Sequence, residues 1–210
     1  MIGFYDYTVI LTYVSLFISV TGIFSACDGN LQEAVVCLML SGFCDMFDGK
    51  IARTKKTRTK QEKRFGIQID SLCDLVCFGV LPAVIGYNIN QVSKLYVIVA
   101  CGFVLAGLIR LAYYNVTEEE RQDETDENRK YFKGLPITSS SLIIPLVYCL
   151  VRYAPIPNFS LLYTVALFVM AVAYITPLRI KKPHSVGMIV MALIGIVEFF
   201  LVLIDFTKFV

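Results

Sequence analysis

Residues 66–89, GIQIDSLCDLVCFGVLPAVIGYNI, are the most informative part of this chain. They are numerous enough to cross a bilayer as one helix, because a transmembrane helix needs about 20 mainly apolar residues. Two aspartates, Asp70 and Asp74, lie inside the stretch. A carboxylate in an apolar membrane segment is costly and by default indicates a functional site. The stretch therefore predicts a membrane helix that carries a polar site.

Six more apolar segments accompany this one. The seven candidates cover roughly residues 5–25, 30–47, 66–89, 94–115, 136–153, 158–177 and 186–204. Of the 210 residues 57% are apolar and only 17% are charged, compared with roughly 25% charged residues in soluble domains. This composition excludes a disordered chain, a secreted disulfide scaffold and an ordinary soluble domain. We predict one all-α domain over residues 1–210, a polytopic membrane helical bundle of about seven transmembrane helices.

The basic residues are concentrated in three polar segments. Residues 50–64 hold eight Lys and Arg, residues 117–134 hold four and residues 178–184 hold three, together 15 of the 19 in the chain. Seven spans place all three segments on one side of the membrane, and the positive-inside rule makes that side cytoplasmic. We expect the acidic stretch 118–127 to be a mobile loop. The first apolar segment lacks a basic leader and a cleavage site, so we expect it to be a retained helix.

Four carboxylates lie at the cytoplasmic ends of the second and third predicted helices. Asp45 and Asp48 are three residues apart and Asp70 and Asp74 are four apart, so each pair shares one helix face. Such groups would repel one another in a low dielectric unless cations lay between them. Their hard oxygen ligands suit Mg²⁺, Mn²⁺ or Ca²⁺. The alternative is that they cap separate helix ends at the interface, which Asp45 and Asp48 alone would fit.

Small and basic residues beside these carboxylates suit a phosphate ligand. Gly49 and Gly66 allow a close backbone approach. We expect Gly66 to open a helix whose free N–H groups favour an anion, and Arg53 can bind a phosphate through its guanidinium group. Two divalent ions holding a pyrophosphate would support phosphoryl transfer.

Together these residues resemble the signature of the CDP-alcohol phosphatidyltransferase family, D-x2-D-G-x2-A-R followed by G-x3-D-x3-D. All eight fixed positions of the signature are present: Asp45, Asp48, Gly49, Ala52, Arg53, Gly66, Asp70 and Asp74. The twelve residues 54–65 form a longer spacer than the family usually has. We interpret this spacer as a longer cytoplasmic loop.

Segments outside the signature resemble one branch of the family, the phosphatidylserine synthases. The third helix continues with Gly79-Val-Leu-Pro82-Ala83, and two later segments agree with the branch, Leu108–Ala112 and Phe132–Pro136. After them the sequence Ile-Thr-Ser-Ser-Ser, residues 137–141, is richer in hydroxyl groups than is usual in the branch.

The resemblance implies an integral membrane enzyme with a six-helix core, here with an additional helix, that usually acts as a homodimer. Relatives hold CDP-diacylglycerol near the cytoplasmic face; an acceptor hydroxyl attacks the phosphorus that carries the diacylglycerol, and CMP leaves. By position, Asp74 is the general base. The ligands of two Mg²⁺ or Mn²⁺ ions are Asp45, Asp48, Asp70 and Asp74. The residues that bind the CDP group are Asp48, Gly49, Ala52, Arg53, Gly66 and Asp70.

For the acceptor, the branch implies L-serine, so that the products are phosphatidylserine and CMP. Arg110 and Lys133 are candidates for binding the acceptor's carboxylate or phosphate. Arg110 lies about one turn from the cytoplasmic end of its predicted helix, so it could instead extend to the membrane interface. The same chemistry with glycerol 3-phosphate, inositol, inositol phosphate or another polar alcohol stays open.

A function from a different class is a transporter or channel in which the four carboxylates form a path for divalent cations. Transporters often contain repeated halves and broken helices near the bilayer midplane, whereas this sequence shows no half-repeat and its acids lie near one face. We expect CDP-diacylglycerol, a small alcohol acceptor and membrane lipids as partners, and no nucleic acid. The short chain without a targeting segment leads us to expect the bacterial plasma membrane, with the active site facing the cytoplasm.

Overall fold

A computed structural model describes residues 3–52, 54–55, 57, 59–90, 93–124, 131–153, 158–181 and 185–204, and these residues are almost all helical. A 3₁₀ turn precedes the first helix and another precedes the sixth, Tyr7–Val9 and Ile137–Ser139. The helices are α1 (Ile10–Cys27), α2 (Leu31–Ala52), α3 (Lys60–Asp74), α4 (Leu81–Ile89), α5 (Lys94–Glu124), α6 (Ser140–Tyr153), α7 (Phe159–Ile175) and α8 (Ser185–Ile204).

The third and fourth helices form one continuous rod, because a π-helical segment, Leu75–Val80, joins them without a break. Each of the seven predicted apolar segments corresponds to one helical rod. In the described part of the chain, three rods are long and apolar enough to cross a membrane: Tyr7–Cys27, Lys60–Ile89 and Lys94–Glu120. Shorter apolar helices cover Ile137–Tyr153, Phe159–Ile175 and Val190–Ile204. The predicted membrane helical bundle is confirmed at this level, and the number of seven spans stays a prediction.

Three helices extend further than predicted: α2 ends at Ala52 instead of residue 47, and α3 and α5 are also longer. The third rod begins at Lys60 and not at Gly66, because the Thr59 hydroxyl accepts the Glu62 N–H at 3.2 Å and the Glu62 carboxylate accepts the Thr59 N–H at 2.7 Å. This reciprocal pair is a capping box, which satisfies N–H groups that would otherwise lack partners. Much of the predicted spacer loop is therefore helical. Gly66 lies inside α3, so the prediction that it opens a helix with free N–H groups is wrong.

The fifth helix also passes the membrane segment and runs to Glu124. The prediction that residues 118–127 form a mobile loop is therefore wrong for residues 118–124, and residues 125–127 lie outside the described part. Glutamate and arginine favour helices, and Glu119 pairs with Arg64 of α3 at 2.7 Å. Long charged side chains thus continue α5 beyond its apolar part.

The prediction of an all-α fold misses a small β-ribbon. Strands β1 (Tyr131–Lys133) and β2 (Arg179–Lys181) pair antiparallel, with Phe132 opposite Ile180. Gly134 follows β1 with φ of 77° and donates its N–H to the Leu178 carbonyl at 2.8 Å. The ribbon holds the chain that enters α6 against the chain that leaves α7.

Small polar side chains join α1 to α2. The Ser19 and Ser41 hydroxyls are 2.7 Å apart, and the Ser41 hydroxyl donates to the Ser15 carbonyl at 3.2 Å. Such small residues let membrane helices approach closely and bond to one another. The contact lies one turn before Asp45, so it fixes the end of α2 that carries the candidate site.

The segment before α1 lies across the linker between α2 and α3. Lys55 in the linker forms ion pairs with Asp6 and with Glu62 at the start of α3. The Tyr7 and Thr54 hydroxyls are 3.0 Å apart. Asp6 and Glu62 hold the pKa of the Lys55 ammonium above its usual value by accepting its hydrogen bonds. The N-terminal segment, the linker and α3 are therefore fastened together beside the candidate site.

Candidate active site

Three carboxylates from two helices converge at one end of the bundle. Asp45 of α2 faces Asp70 and Asp74 of α3, and one oxygen from each of the three lies within 4.8 Å of the others. The fourth carboxylate, Asp48, lies beside Asp70 and is buried, with 8% of its surface exposed. The structure therefore brings together the four aspartates that the sequence pairs on two separate helices.

Each helix supplies its carboxylates for a simple geometric reason. Positions three or four apart lie on the same face of a helix, so Asp45 and Asp48 face the third rod and Asp70 and Asp74 face α2. Asp74 is the last residue before the π-helical segment. Such a wide turn changes the direction of the residues on either side of it and is frequent at functional sites.

The donor set fits a divalent cation. Mg²⁺ takes oxygen ligands at about 2.1 Å, so two oxygens on opposite sides of one ion are separated by about 4.2 Å. The oxygens of Asp45, Asp70 and Asp74 lie in that range, within 4.8 Å of one another. The alternative of separate helix caps does not fit Asp70 and Asp74, because both lie inside the Lys60–Ile89 rod. The cluster could hold a metal ion.

The smaller signature residues lie around the end of α2. Gly49 is exposed, and open space surrounds the position where a Cβ would be. Ala52 is the last residue of α2 and is partly buried. Gly66 lies on α3, one turn before Asp70. Arg53 lies outside the described residues. The small residues thus leave room at the end of α2, beside the carboxylates.

Arg110 is a cation in the middle of α5. Its Nε atom is buried and has no hydrogen-bond partner among the described residues, and its guanidinium carbon lies 5.8 Å from the Tyr114 ring centroid. Because α5 continues to Glu124, the expectation that Arg110 lies about one turn from the helix end is wrong. The side chain is partly buried within the bundle, and Asp74 is among the charges that act on it.

The other acceptor candidate, Lys133, lies in β1. The backbone of the ribbon is described there, and the side chain of Lys133 lies outside the described part. The structure therefore places the backbone of this residue at the entrance to α6, and its role in binding the acceptor stays a prediction.

Sequence reasoning missed one polar contact next to the site. The Ser71 hydroxyl donates to the Asn115 side-chain oxygen at 2.9 Å and so joins α3 to α5. Ser71 directly follows Asp70 in the sequence, so it could have been recognised as a neighbour of the site. Asn115 is 44 residues away in the chain, and no local pattern connects the two.

Comparison with known proteins agrees with this geometry. The sequence model of the family "CDP-alcohol phosphatidyltransferase" matches residues 8–197. A CDP-diacylglycerol–serine O-phosphatidyltransferase of Methanocaldococcus jannaschii is 30% identical over 91% of this chain and 86% of its own length. A protein of the same name from Saccharomyces cerevisiae is 37% identical over 57% of this chain and 42% of its own length.

An archaetidylserine synthase of Methanothermobacter thermautotrophicus is 30% identical over 84% of this chain and 66% of its own length. The chain spans about half the length of some curated relatives, 42% of the yeast protein and 54% of a Helicobacter pylori protein. The family match covers nearly all of the helical bundle, including the four aspartates and Arg110. The chain therefore belongs to the CDP-alcohol phosphatidyltransferase family.

Proposed function

We propose that this protein transfers the phosphatidyl group from CDP-diacylglycerol to the hydroxyl of L-serine, which yields phosphatidylserine and CMP. The observation that carries the proposal is the convergence of the Asp45, Asp70 and Asp74 carboxylates on one point in a membrane helical bundle. The names of the relatives support serine as the acceptor. The archaetidylserine synthase supports the same acceptor with a different lipid.

The carboxylates have two tasks in this reaction. Bound Mg²⁺ or Mn²⁺, held by Asp45, Asp48, Asp70 and Asp74, would neutralise the pyrophosphate and polarise the attacked phosphorus. Asp74 accepts the proton of the serine hydroxyl as the serine oxygen bonds to that phosphorus. The bond between the phosphorus and the oxygen of the CMP group breaks, and CMP leaves with the electron pair of that bond.

Other residues hold the two substrates. Gly49 and Ala52 leave space for the nucleotide at the end of α2, where Arg53 binds the phosphates, and Gly66 and Asp70 face it from α3. Arg110 binds the serine carboxylate, because its buried Nε atom has no hydrogen-bond partner among the described residues and a guanidinium favours an anionic ligand. Lys133 lies at the edge of the acceptor site. The enzyme works as a homodimer in the bacterial plasma membrane, with the site facing the cytoplasm.

The test is CMP release by the detergent-purified protein with CDP-diacylglycerol and Mn²⁺. Serine, glycerol 3-phosphate, inositol and inositol phosphate are offered in parallel, beside a reaction without acceptor. We expect serine-dependent release, and a rate roughly 10²- to 10⁴-fold lower in Asp74→Asn, the range for loss of a general base. The matched control is Asp28→Asn, at the exposed far end of α1, which should keep the wild-type rate.

Other outcomes would change the proposal in defined ways. Release that depends on a different acceptor would keep the chemistry and reject serine. If folded protein released no CMP with any acceptor but carried Mn²⁺ across proteoliposome membranes, the function would be that of a transporter.

A further inference from the structure

The hydroxyl-rich segment 137–141 enters the bundle between three helices of the candidate site. Its Ser140 side chain is fully buried, with 0% of its surface exposed. The Ser140 hydroxyl lies 3.0 Å from the Phe78 carbonyl and 3.1 Å from the Ile137 carbonyl. A serine hydroxyl has one hydrogen, so the two carbonyls compete for it.

The other hydrogen bonds around Ile137 indicate which carbonyl receives this hydrogen. The Ile137 carbonyl already accepts the Ser140 backbone N–H and, at 3.2 Å, the Tyr174 hydroxyl. A carbonyl oxygen has two lone pairs, so both are in use at Ile137. The Phe78 carbonyl, which is also the nearer of the two, is therefore the better acceptor for the Ser140 hydrogen.

The Phe78 carbonyl lacks its ordinary α-helical donor. It belongs to the π-helical segment, where the Leu81 N–H bonds five residues back to Val76. In an α-helix the donor to Phe78 would be residue 82, but Pro82 has no N–H. A buried carbonyl without a partner is costly. The Ser140 hydroxyl, which belongs to another helix, thus offers the Phe78 carbonyl a hydrogen bond in place of the α-helical one that Pro82 cannot donate.

The π-helical segment begins directly after Asp74, and Phe78 lies one turn beyond that aspartate. The wide turn contains one more residue than an α-helical turn. If the segment relaxed to an α-helix, the Asp74 face would rotate by about 100° relative to the buried face of α4. The Asp74 carboxylate would then turn away from Asp45.

The same segment contacts two more helices near site residues. A Cβ on Gly42 of α2, one turn before Asp45, would overlap the Ser141 side chain. A Cβ on Gly107 of α5, one turn before Arg110, would lie 2.8 Å from the end of the Ile137 side chain. The segment therefore packs against all three helices within one turn of their site residues.

We propose that Ser140 is a positioning residue of the active site, whose hydroxyl holds the π-helical segment in place and thereby keeps the Asp74 carboxylate beside Asp45. This inference rests on the proposed function in that it takes Asp74 as a metal ligand and general base. It does not depend on which acceptor is used.

The test measures Mn²⁺ binding by electron paramagnetic resonance of the free ion, on purified wild type, Ser140→Ala and Ser140→Thr. Loss of the hydroxyl should weaken Mn²⁺ binding about ten-fold, as is typical for groups that orient metal ligands. At saturating Mn²⁺ it should lower kcat with little change in the KM for CDP-diacylglycerol. Threonine keeps the hydroxyl and should lie closer to wild type than to the alanine variant. The control is Ser25→Ala, a buried serine near the other end of α1 whose hydroxyl bonds within its own helix.

Size-exclusion elution and thermal melting show whether each variant is folded. If Ser140→Ala does not fold, Ser140→Cys takes its place, since a thiol fills the position but is a weak donor, and the same loss of Mn²⁺ affinity is expected. Unchanged Mn²⁺ affinity in the alanine variant, or a threonine variant as weak as alanine, would overturn the inference. If the wild-type protein binds Mn²⁺ but transfers nothing to serine, only the proposed function is rejected. The comparison of Mn²⁺ affinity between wild type and the Ser140 variants still tests the role of Ser140.

Discussion

In the proposed reaction, Arg110 is the residue that we expect to set the choice of acceptor. A guanidinium group is always charged, so its place in an apolar helix requires an anion or a polar surrounding. Tyr114 offers the face of a ring, and the buried Nε atom has no hydrogen-bond partner among the described residues. The carboxylate of serine would fill this gap, whereas ethanolamine, which lacks the carboxylate, would not.

At this scale we predict that Arg110→Gln loses its discrimination between acceptors. Hydrogen bonds to charged groups contribute about 1.5–3 kcal/mol, so the KM for serine should rise roughly 10- to 100-fold while the KM for CDP-diacylglycerol stays unchanged. The preference for serine over ethanolamine should shrink in the same measurement of CMP release. Arg152→Gln, at the exposed end of α6, serves as the control. An equal fall in kcat with both acceptors would contradict this role.

The linker between α2 and α3 is the element that joins the two halves of the signature. It is longer than is usual in the family, yet it is not a free loop. Lys55 pairs with both Asp6 and Glu62, and the Phe4 and Phe65 rings pack edge to face at 5.5 Å. We infer that the segment before α1 compensates for the added length by holding the linker against the start of α3.

We predict that Asp6→Asn and Lys55→Met act by removing the same ion pair, the one between Asp6 and Lys55. Each should lower the melting temperature in detergent and raise the KM for CDP-diacylglycerol. The double variant should be little worse than the more severe single variant, since residues in direct contact are not additive. Arg64→Met removes an exposed ion pair with Glu119 and should change little. Fully additive effects of the two substitutions would show that they act separately.

The helices could be predicted because each contains a long apolar run, but an apolar run alone does not locate their ends. An apolar run marks only the part of a helix that lies in hydrocarbon, so it gives no signal for the polar first turns of α3 or the charged end of α5. The Thr59–Glu62 capping box was readable in the sequence. The ribbon was not, because its strands lie far apart in the chain and three residues each are too few to show a period.

The candidate site was predictable to a different degree. The spacing within each helix pairs the aspartates, and the short connection between α2 and α3 makes the two pairs neighbours. The partners that come from distant helices, Asn115 for Ser71 and Ser140 for Phe78, have no local signal. The π-helical segment, Leu75–Val80, is not revealed by a pattern of apolar residues either.

At the scale of the whole molecule, the three basic segments meet at one end of the bundle. The Arg64–Glu119 pair joins the first segment to the second, and the β-ribbon joins the second to the third. At the opposite end, the Gln32 amide donates to the Val202 carbonyl at 2.6 Å and the Tyr153 hydroxyl donates to the Leu201 carbonyl at 2.9 Å. By the positive-inside rule, we expect the basic end, which carries the carboxylates, to face the cytoplasm.

Labelling of two thiols, the native Cys27 and one introduced at position 57, tests this orientation in intact cells. Cys27 is exposed at the end of α1 away from the carboxylates, so a membrane-impermeant maleimide should label it from outside, and Cys27→Ser should abolish that labelling. In the Cys27→Ser background, Thr57→Cys places a thiol on the exposed α2–α3 linker, which should be labelled only after the cells are permeabilised. The other described cysteine that is exposed, Cys101, lies inside the apolar part of α5, where the reagent does not reach. Labelling of Thr57→Cys from outside would reverse the orientation and place the site on the outer face, away from cytoplasmic CDP-lipid and serine.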